Sequence, residues 1–202
     1  MSAHAQPRVS PEQYLEMERA AEFRSEYYEG RIYAMSGGSW AHAVVIGNLT
    51  AALVNSLKKR PCSVTPTDMR LRVSPTGLYT YPDIMVICDE PKFVDARTDT
   101  VVNPRLVIEV LSPSTEGYDR GFKAAQYRTI EALHEYALVS QSEARVEVFR
   151  RESANEWLMS EFVGIDAICH FRSVGCGIPL SEIYDKVTFE VPSPSTRPEE
   201  RS

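Results

Sequence analysis

The chain has 202 residues, of which 43% are apolar and 25% charged, the balance of an ordinary globular domain with a buried core rather than of a disordered polymer. Its 28 acidic and 22 basic residues leave a net charge of −6, which argues against broad nonspecific polyanion binding but leaves room for a local basic groove or for acids neutralised by a metal ion. No run of 18 or more apolar residues occurs and the first residues lack an export signal, so no membrane association and a cytoplasmic location are expected.

In chain order, Ser10-Pro11 with Gln13 predicts a capped helix, preceded by a loose tail over residues 1–9. Two β-prone runs, Glu26-Tyr-Tyr and Arg31-Ile-Tyr-Ala-Met, flank Glu29-Gly30, the acid-glycine pair of a tight hairpin. Val44, Val45, Asn48, Leu49, Ala52, Leu53 and Leu57 then recur at helical spacing up to Pro61. Strands are expected around Cys62 to Thr65, Met69 to Val73 and Tyr79 to Cys88, and over the apolar run Leu106 to Leu111. A helix from Tyr118 to about Ala132 follows, then strands over Tyr136 to Ser140, Arg145 to Arg150 and Trp157 to Val163, and a short helix from Pro179. These elements predict a mixed α/β fold in a single domain over 10–191, with the proline-rich segment 192–202 a disordered tail. The four cysteines have no Cys-x-x-Cys spacing and lie in or beside apolar segments, so buried reduced thiols are expected, and a zinc site built on Cys169, His170 and Cys176 is the minor alternative.

Two acids stand where acids are expensive. Asp83 begins an apolar strand and Glu109 falls in the row Arg105, Val107, Glu109, Leu111 of a strand expected to be buried on both faces. Each needs a partner: a shared Mg²⁺ or Mn²⁺ held by oxygen ligands, or ordinary salt bridges such as Asp83 with Arg70 or Arg72. Downstream, Asp119, Lys123 and Tyr127 recur every four residues along one helical stripe, which either aims the Lys123 amine at Glu109 or forms an exposed Asp119 to Lys123 ion pair.

Taken together, Glu26-Tyr-Tyr-Glu-Gly-Arg-Ile-Tyr-Ala-Met, His42, Tyr81-Pro-Asp-Ile, Ile108-Glu-Val-Leu-Ser-Pro-Ser-Thr, Tyr118-Asp-Arg-Gly-x-Lys and Tyr127-Arg resemble the Uma-two family of bacterial endonucleases, within the PD-(D/E)xK nuclease superfamily. The resemblance spans about Pro11 to Val187 and implies a restriction-endonuclease-like core, a central mixed sheet flanked by helices. It implies Asp83 and Glu109 as metal ligands, the Val110 carbonyl as a third, and Glu26 as an additional acid. Leu111 stands where the motif places lysine, so the resemblance points to Lys123 as a migrated catalytic lysine, with Tyr127 beside it. His42 is either a hydrogen-bonded residue at a helix start or a catalytic group.

The implied activity is hydrolysis of phosphodiester bonds in nucleic acid, DNA being the expected substrate, with Mg²⁺ or Mn²⁺ as cofactor and a homodimer as the expected assembly. Lys58-Lys59-Arg60, Arg120, Arg128 and Arg145 are the basic residues available to bind substrate, or else a solvated face. The competing reading is a nuclease-like scaffold that binds without cutting. A glycosidase using the two carboxylates would need a sugar cleft, and no glycine-rich phosphate loop or nucleophile elbow supports a nucleotide cofactor or a serine hydrolase.

Overall fold

Every residue of the strand β8 (Leu106–Leu111) is buried, because it is the middle of a six-stranded sheet covered on both faces. The computed structural model describes residues 8–35 and 37–189. Around β8 lie β6 (Ile84–Cys88) and β3 (Cys62–Pro66) on one side, both antiparallel, and β9 (Glu135–Ser140), β10 (Arg145–Arg151) and β11 (Trp157–Val163) on the other. Among the neighbouring strands of this sheet only β8 and β9 pair in parallel, and the crossover between them is the helical segment 116–127. Alternate residues of β8 divide between two cores: Leu106, Ile108 and Val110 face one, Val107 and Leu111 the other.

The first face is covered by the helix α2 (Trp40–Leu57), which buries Val45, Leu49, Ala52, Leu53 and Leu57. This helix is long and apolar enough to pass for a membrane span, but it packs on the sheet, and Asn48 donates to the carbonyls of Ile183 and Asp185 in and after the short helix α5 (Leu180–Ile183). Two strands beside it, β12 (Ile168–Phe171) and β13 (Cys176–Pro179), pair with each other; they fall on the cysteine-histidine stretch and show no strand periodicity long enough to predict. Cys169 and His170, neighbours on β12, point to opposite faces, Cys169 buried and His170 exposed, and among the described residues no three histidine, cysteine or acidic side chains form a ready-made metal site, so the zinc alternative fails.

On the second face lies a five-stranded sheet ordered β2-β1-β5-β4-β7, where β1 is Ser25–Tyr28, β2 Arg31–Ala34, β4 Arg70–Val73, β5 Leu78–Thr80 and β7 Thr100–Val101. Helix α1 (Pro11–Ala20) caps it with the expected box: Ser10 Oγ accepts from Gln13 N–H at 3.2 Å and Gln13 Oε1 from Ser10 N–H at 2.9 Å. The β1–β2 hairpin turns at Glu29 and Gly30, both at positive φ (47° and 81°), the conformation an acid-glycine turn requires. Of the expected N-terminal tail, residues 1–7 lie outside the described residues, and Val9 is already tied to the hairpin through Gly30 O and the Tyr27 hydroxyl. The C-terminal segment 192–202 lies wholly outside them.

Three local expectations change. The run from Tyr79 to Cys88 is not one strand: it breaks at Tyr81-Pro82-Asp83, and the halves, β5 and β6, join different sheets. Proline at the corner has no N–H to give a ladder, so the chain can leave one sheet there and enter the next. The crossover helix ends at Tyr127 rather than near Ala132, because Arg151 reaches over to donate to the Arg128 and Ile130 carbonyls at 2.8 and 2.9 Å and ends the ladder. Its middle, Asp119–Lys123, is a π-helical turn between the α-turns α3 (Glu116–Tyr118) and α4 (Ala124–Tyr127).

The expectation of reduced thiols holds for Cys169 and Cys176 but not for Cys62 and Cys88, which form a disulfide. The antiparallel register of β3 and β6 sets these two opposite each other across 26 residues of sequence, a meeting that linear spacing does not reveal. Closing a loop of that length removes about 3–4 kcal/mol of unfolded-state entropy. Reduction, or the double variant Cys62→Ser/Cys88→Ser, is therefore expected to lower unfolding free energy by about that amount in denaturant titrations; no change would mean the pair is not bonded in solution.

Candidate active site

Asp83 follows the corner between the sheets and Glu109 projects from β8 into the second core. Extending the β6–β8 register, in which Ile84 pairs with Ile108, puts the two acids opposite each other. They are also locked by backbone: Asp83 N–H donates to Glu109 Oε2 at 3.2 Å, and Val110 N–H donates to Asp83 Oδ2 at 2.8 Å. Neither arginine expected as a salt-bridge partner serves, since Arg70 turns instead to Tyr81, Thr100 and Asp99. The group beside Asp83 is His42, third residue of α2, whose Nε2 lies 3.3 Å from Oδ2. Both alternatives for His42 meet in part: its N–H is capped by Ser39 while its ring is aimed at a candidate site acid.

Glu109 is 2% exposed, and its other oxygen, Oε1, accepts from Tyr127 O–H at 2.7 Å and from Lys123 Nζ at 3.2 Å. The lysine amine also lies 3.4 Å from Glu26 Oε1 and 3.2 Å from Asp119 Oδ1. The Asp119 contact is an ion pair without hydrogen-bond geometry, leaving that oxygen buried and otherwise unpartnered. Their four-residue spacing puts Asp119 and Lys123 on one face of the helical turn, and that face packs inward, so the exposed pair of the alternative reading is instead buried. Glu26, from β1, is fixed by Tyr118 O–H at 2.9 Å and by the Thr80 hydroxyl.

Thus Asp83, Glu109, Lys123, Glu26 and Tyr127 come together, with Val110 supplying backbone. Leu111, on the same face of β8 as Glu109, is buried apolar filling, and the amine beside Glu109 comes from Lys123 instead. Sequence reasoning missed Thr80, for which no local signal exists, and the contacts of Tyr118 and Tyr136, whose hydroxyl donates to Asp119 O at 3.0 Å. Half of the basic residues considered for substrate are already spent: Arg60 holds the Val174 and Gly175 carbonyls, Arg120 pairs with Glu147 and Glu116, and Arg145 with Glu143 and Glu161. Lys58 and Lys59 follow the end of α2 remote from His42, roughly 25 Å away at about 1.5 Å per residue.

Four carboxylates thus share one lysine and one histidine. Burial, reinforced by the negative charges of Asp83 and Asp119, outweighs Lys123 and pushes the Glu109 carboxyl up to about 8. Burial works against the charged form of Lys123, but Glu109, Glu26, Asp119 and Asp83 overcome it and hold the ammonium well above its usual range. His42 is likewise raised, burial opposing and the Asp83 carboxylate and the Val110 backbone prevailing. Two cavities reach this cluster: one of about 510 Å³ touches Asp83 and His42, and another of about 680 Å³ touches Glu26 and Lys123.

The proton on Glu109 makes stability pH-dependent. The folded protein keeps it to about pH 8, whereas the unfolded chain releases it near 4.5, so stability is fullest below that window and declines as pH rises through it. Without divalent ions, the thermal midpoint is expected to fall between pH 5 and 8, and Glu109→Gln to reduce that slope, His42 contributing a remainder of the same sign. An unchanged slope in the variant would show that Glu109 is ionised throughout.

Residues 11–171 match the model of the Uma2 family, described as "Putative restriction endonuclease". Two proteins of Synechocystis sp., both named only as uncharacterized, are similar along nearly their whole length: one is 35% identical over 91% of this chain and 95% of its own, the other 38% identical over 79% and 90%. The fold is similar to the crystal structure of "a putative nuclease belonging to DUF820" from Anabaena variabilis, with a TM-score of 0.70 at 18% identity over 87% of this chain and 97% of that one. The structural match shows the fold, a mixed sheet flanked by helices, and the family match, which takes in Glu26, Asp83, Glu109, Lys123 and Tyr127, places this protein in the Uma2 family of restriction-endonuclease-like proteins.

Proposed function

We propose that this protein is a divalent-metal-dependent endonuclease that hydrolyses phosphodiester bonds in DNA. The observation that carries the reading is the convergence of Asp83 and Lys123 on Glu109, with one cavity touching Asp83 and another Lys123 and with more buried negative charge than the cluster's own cations neutralise. DNA is taken from the family's description as restriction endonucleases.

The residues fit a hard cation. All candidate donors are oxygens; Asp83 Oδ1 accepts no hydrogen bond from the described residues, and Glu109 Oε2 accepts only one, at 3.2 Å. Asp83, Glu109 and the Val110 carbonyl would hold Mg²⁺ or Mn²⁺, with water completing the shell, as suits ions that take one or two carboxylates. When bound, such an ion supplies a lowered pKa for an attacking water and polarisation of the scissile phosphate. The chain does the rest. Val110 N–H and the Asp83 backbone hold both carboxylates in place, Tyr127 orients Glu109, and Lys123 stays charged to stabilise negative charge on the phosphate oxygens. Removal of the Glu109 proton is required before that oxygen can bind a cation, so metal affinity rises with pH towards about 8.

With plasmid or oligonucleotide DNA and Mn²⁺, Asp83→Asn is expected to cut at least about 100-fold more slowly while folding normally, because the amide oxygen still accepts from Val110. Cutting without metal, or unaltered by this substitution, overturns the proposal; absence of both cutting and a metal-induced thermal shift in the natural protein favours the non-cutting scaffold.

We infer as well that the protein acts as a homodimer joined through β11. This strand is an unpaired edge, with Leu158, Met159 and Val163 half exposed and Ile165 and Ile168 beyond it. Antiparallel pairing of two copies about Ser160 sets Trp157 against Val163 and Leu158 against Phe162, and no two like charges face each other. Sedimentation at micromolar concentration is expected to show a dimer for the natural chain and a monomer for Leu158→Lys/Met159→Lys; a dimer that persists in the variant assigns the interface elsewhere.

A further inference from the structure

The cavity on the Glu26 and Lys123 side has chemistry that phosphodiester hydrolysis does not use. The hairpin register sets Tyr33 opposite Glu26 and Arg31 opposite Tyr28, and directly opposed residues share a face. Against that face lie two rings of the crossover helix. Tyr118 and Phe122 stack with centroids 5.3 Å apart and planes 13° from parallel, and Phe122 meets Tyr28 edge-on at 5.0 Å. Lys123 Nζ stands 5.5 Å from the Tyr118 centroid. The space, a half-open cleft of about 680 Å³, is the size of a small-molecule site, and it ends on Lys123 and Glu26 themselves.

At the same cavity stand two guanidinium groups, Arg8 and Arg31, neither of which forms an ion pair among the described residues. Arg8 is held against the turn: a Cβ on Gly30 would come within 2.8 Å of its own Cβ, so the left-handed glycine leaves room for it. Facing these two cations the rim sets one further acid, Glu29, while Glu26 is already engaged by Lys123, Tyr118 and Thr80. Tyr33 is 46% exposed on an edge strand whose four residues all face solvent, an exposure that buys no folding stability.

We propose that this cavity binds one unpaired nucleotide of the substrate, its base stacked on Tyr33 and the Tyr118–Phe122 pair and its phosphate held by Arg8 and Arg31. The preferred substrate is then single-stranded or locally opened DNA rather than intact duplex. Aromatic platforms beside cations are the means by which unpaired strands are held, since every base has a π face, whereas a paired base in a duplex offers none. The inference rests on the nuclease reading for its account of what lies at the cavity's base, but its binding chemistry stands apart from the cutting step.

The test uses full-length Asp83→Asn protein without divalent ions, so that no cleavage is needed. Oligonucleotides carrying 2-aminopurine, single-stranded or annealed, report stacking by loss of fluorescence. Single strands are expected to bind more tightly and to be quenched. Tyr33→Ala is expected to weaken that binding about 5- to 150-fold, the range for losing one stacking platform, and Tyr33→Phe to retain it. Arg31→Ala should lower the slope of log affinity against log salt by about 0.7. Equal binding of duplex and single strand without quenching, or binding indifferent to Tyr33→Ala, overturns the subsite and leaves the cleavage assay of the natural protein to judge the nuclease reading separately. Quenching by single strands in a protein that never cuts supports the subsite and sinks the nuclease reading alone.

Discussion

Lys123 Nζ lies within 3.4 Å of carboxylates from three places in the chain: Glu26 of β1, Glu109 of β8 and Asp119 of its own helical turn. A buried ammonium so surrounded is well compensated, but the acids are not, because Asp83 adds a fourth negative charge nearby. Uncompensated buried charge is costly, and a protein relieves it by taking up protons or cations. Glu109, with its carboxyl near 8, takes the first course when no cation is present. The same imbalance is what suits the cluster to a hard divalent ion, so the electrostatics of the resting protein and the proposed chemistry are one constraint seen twice.

The architecture is arranged around that point. Asp83 can meet Glu109 only because the chain leaves the five-stranded sheet at Tyr81-Pro82 and enters the six-stranded one opposite β8. The parallel β8–β9 crossover then returns over the same face, and the four-residue spacing of Asp119 and Lys123 in its π-turn turns both side chains inward. Tyr127, one turn on, meets Glu109 from the same helix, and Tyr136 of β9 anchors the Asp119 backbone from beneath. Glu26, Glu109, Lys123 and Tyr127 are held by strands and by one helix packed into the core, and Asp83, on the corner between the sheets, is pinned by the Val110 N–H, which gives the site the rigidity a reacting geometry needs.

The hairpin has a double part. Its inner acid, Glu26, completes the charged cluster, while the residues across the strand from Glu26 and Tyr28 form the aromatic and basic wall of the larger cavity. One face of two short strands thus links the buried cluster to an accessible surface.

Periodicity and punctuation alone carried most of the fold: the capping box at Ser10, the Glu29-Gly30 turn, the α2 stripe and the apolar run of β8 are local consequences of side-chain spacing and backbone preference. The exceptional acids, Asp83 and Glu109, and the Asp119, Lys123, Tyr127 stripe were legible for the same reason, since a charge in an apolar row is visible in one dimension. What only the tertiary structure decided were meetings between distant segments: Thr80 and Tyr118 on Glu26, His42 on Asp83, and Cys62 with Cys88. The break between β5 and β6 and the π-turn belong with these, because strand pairing and core packing overrode a local pattern that favoured one strand and one regular helix. Local sequence sets which residues can be buried and in what conformation; which of them touch is fixed by register and crossover, and those exist only once the sheets have formed.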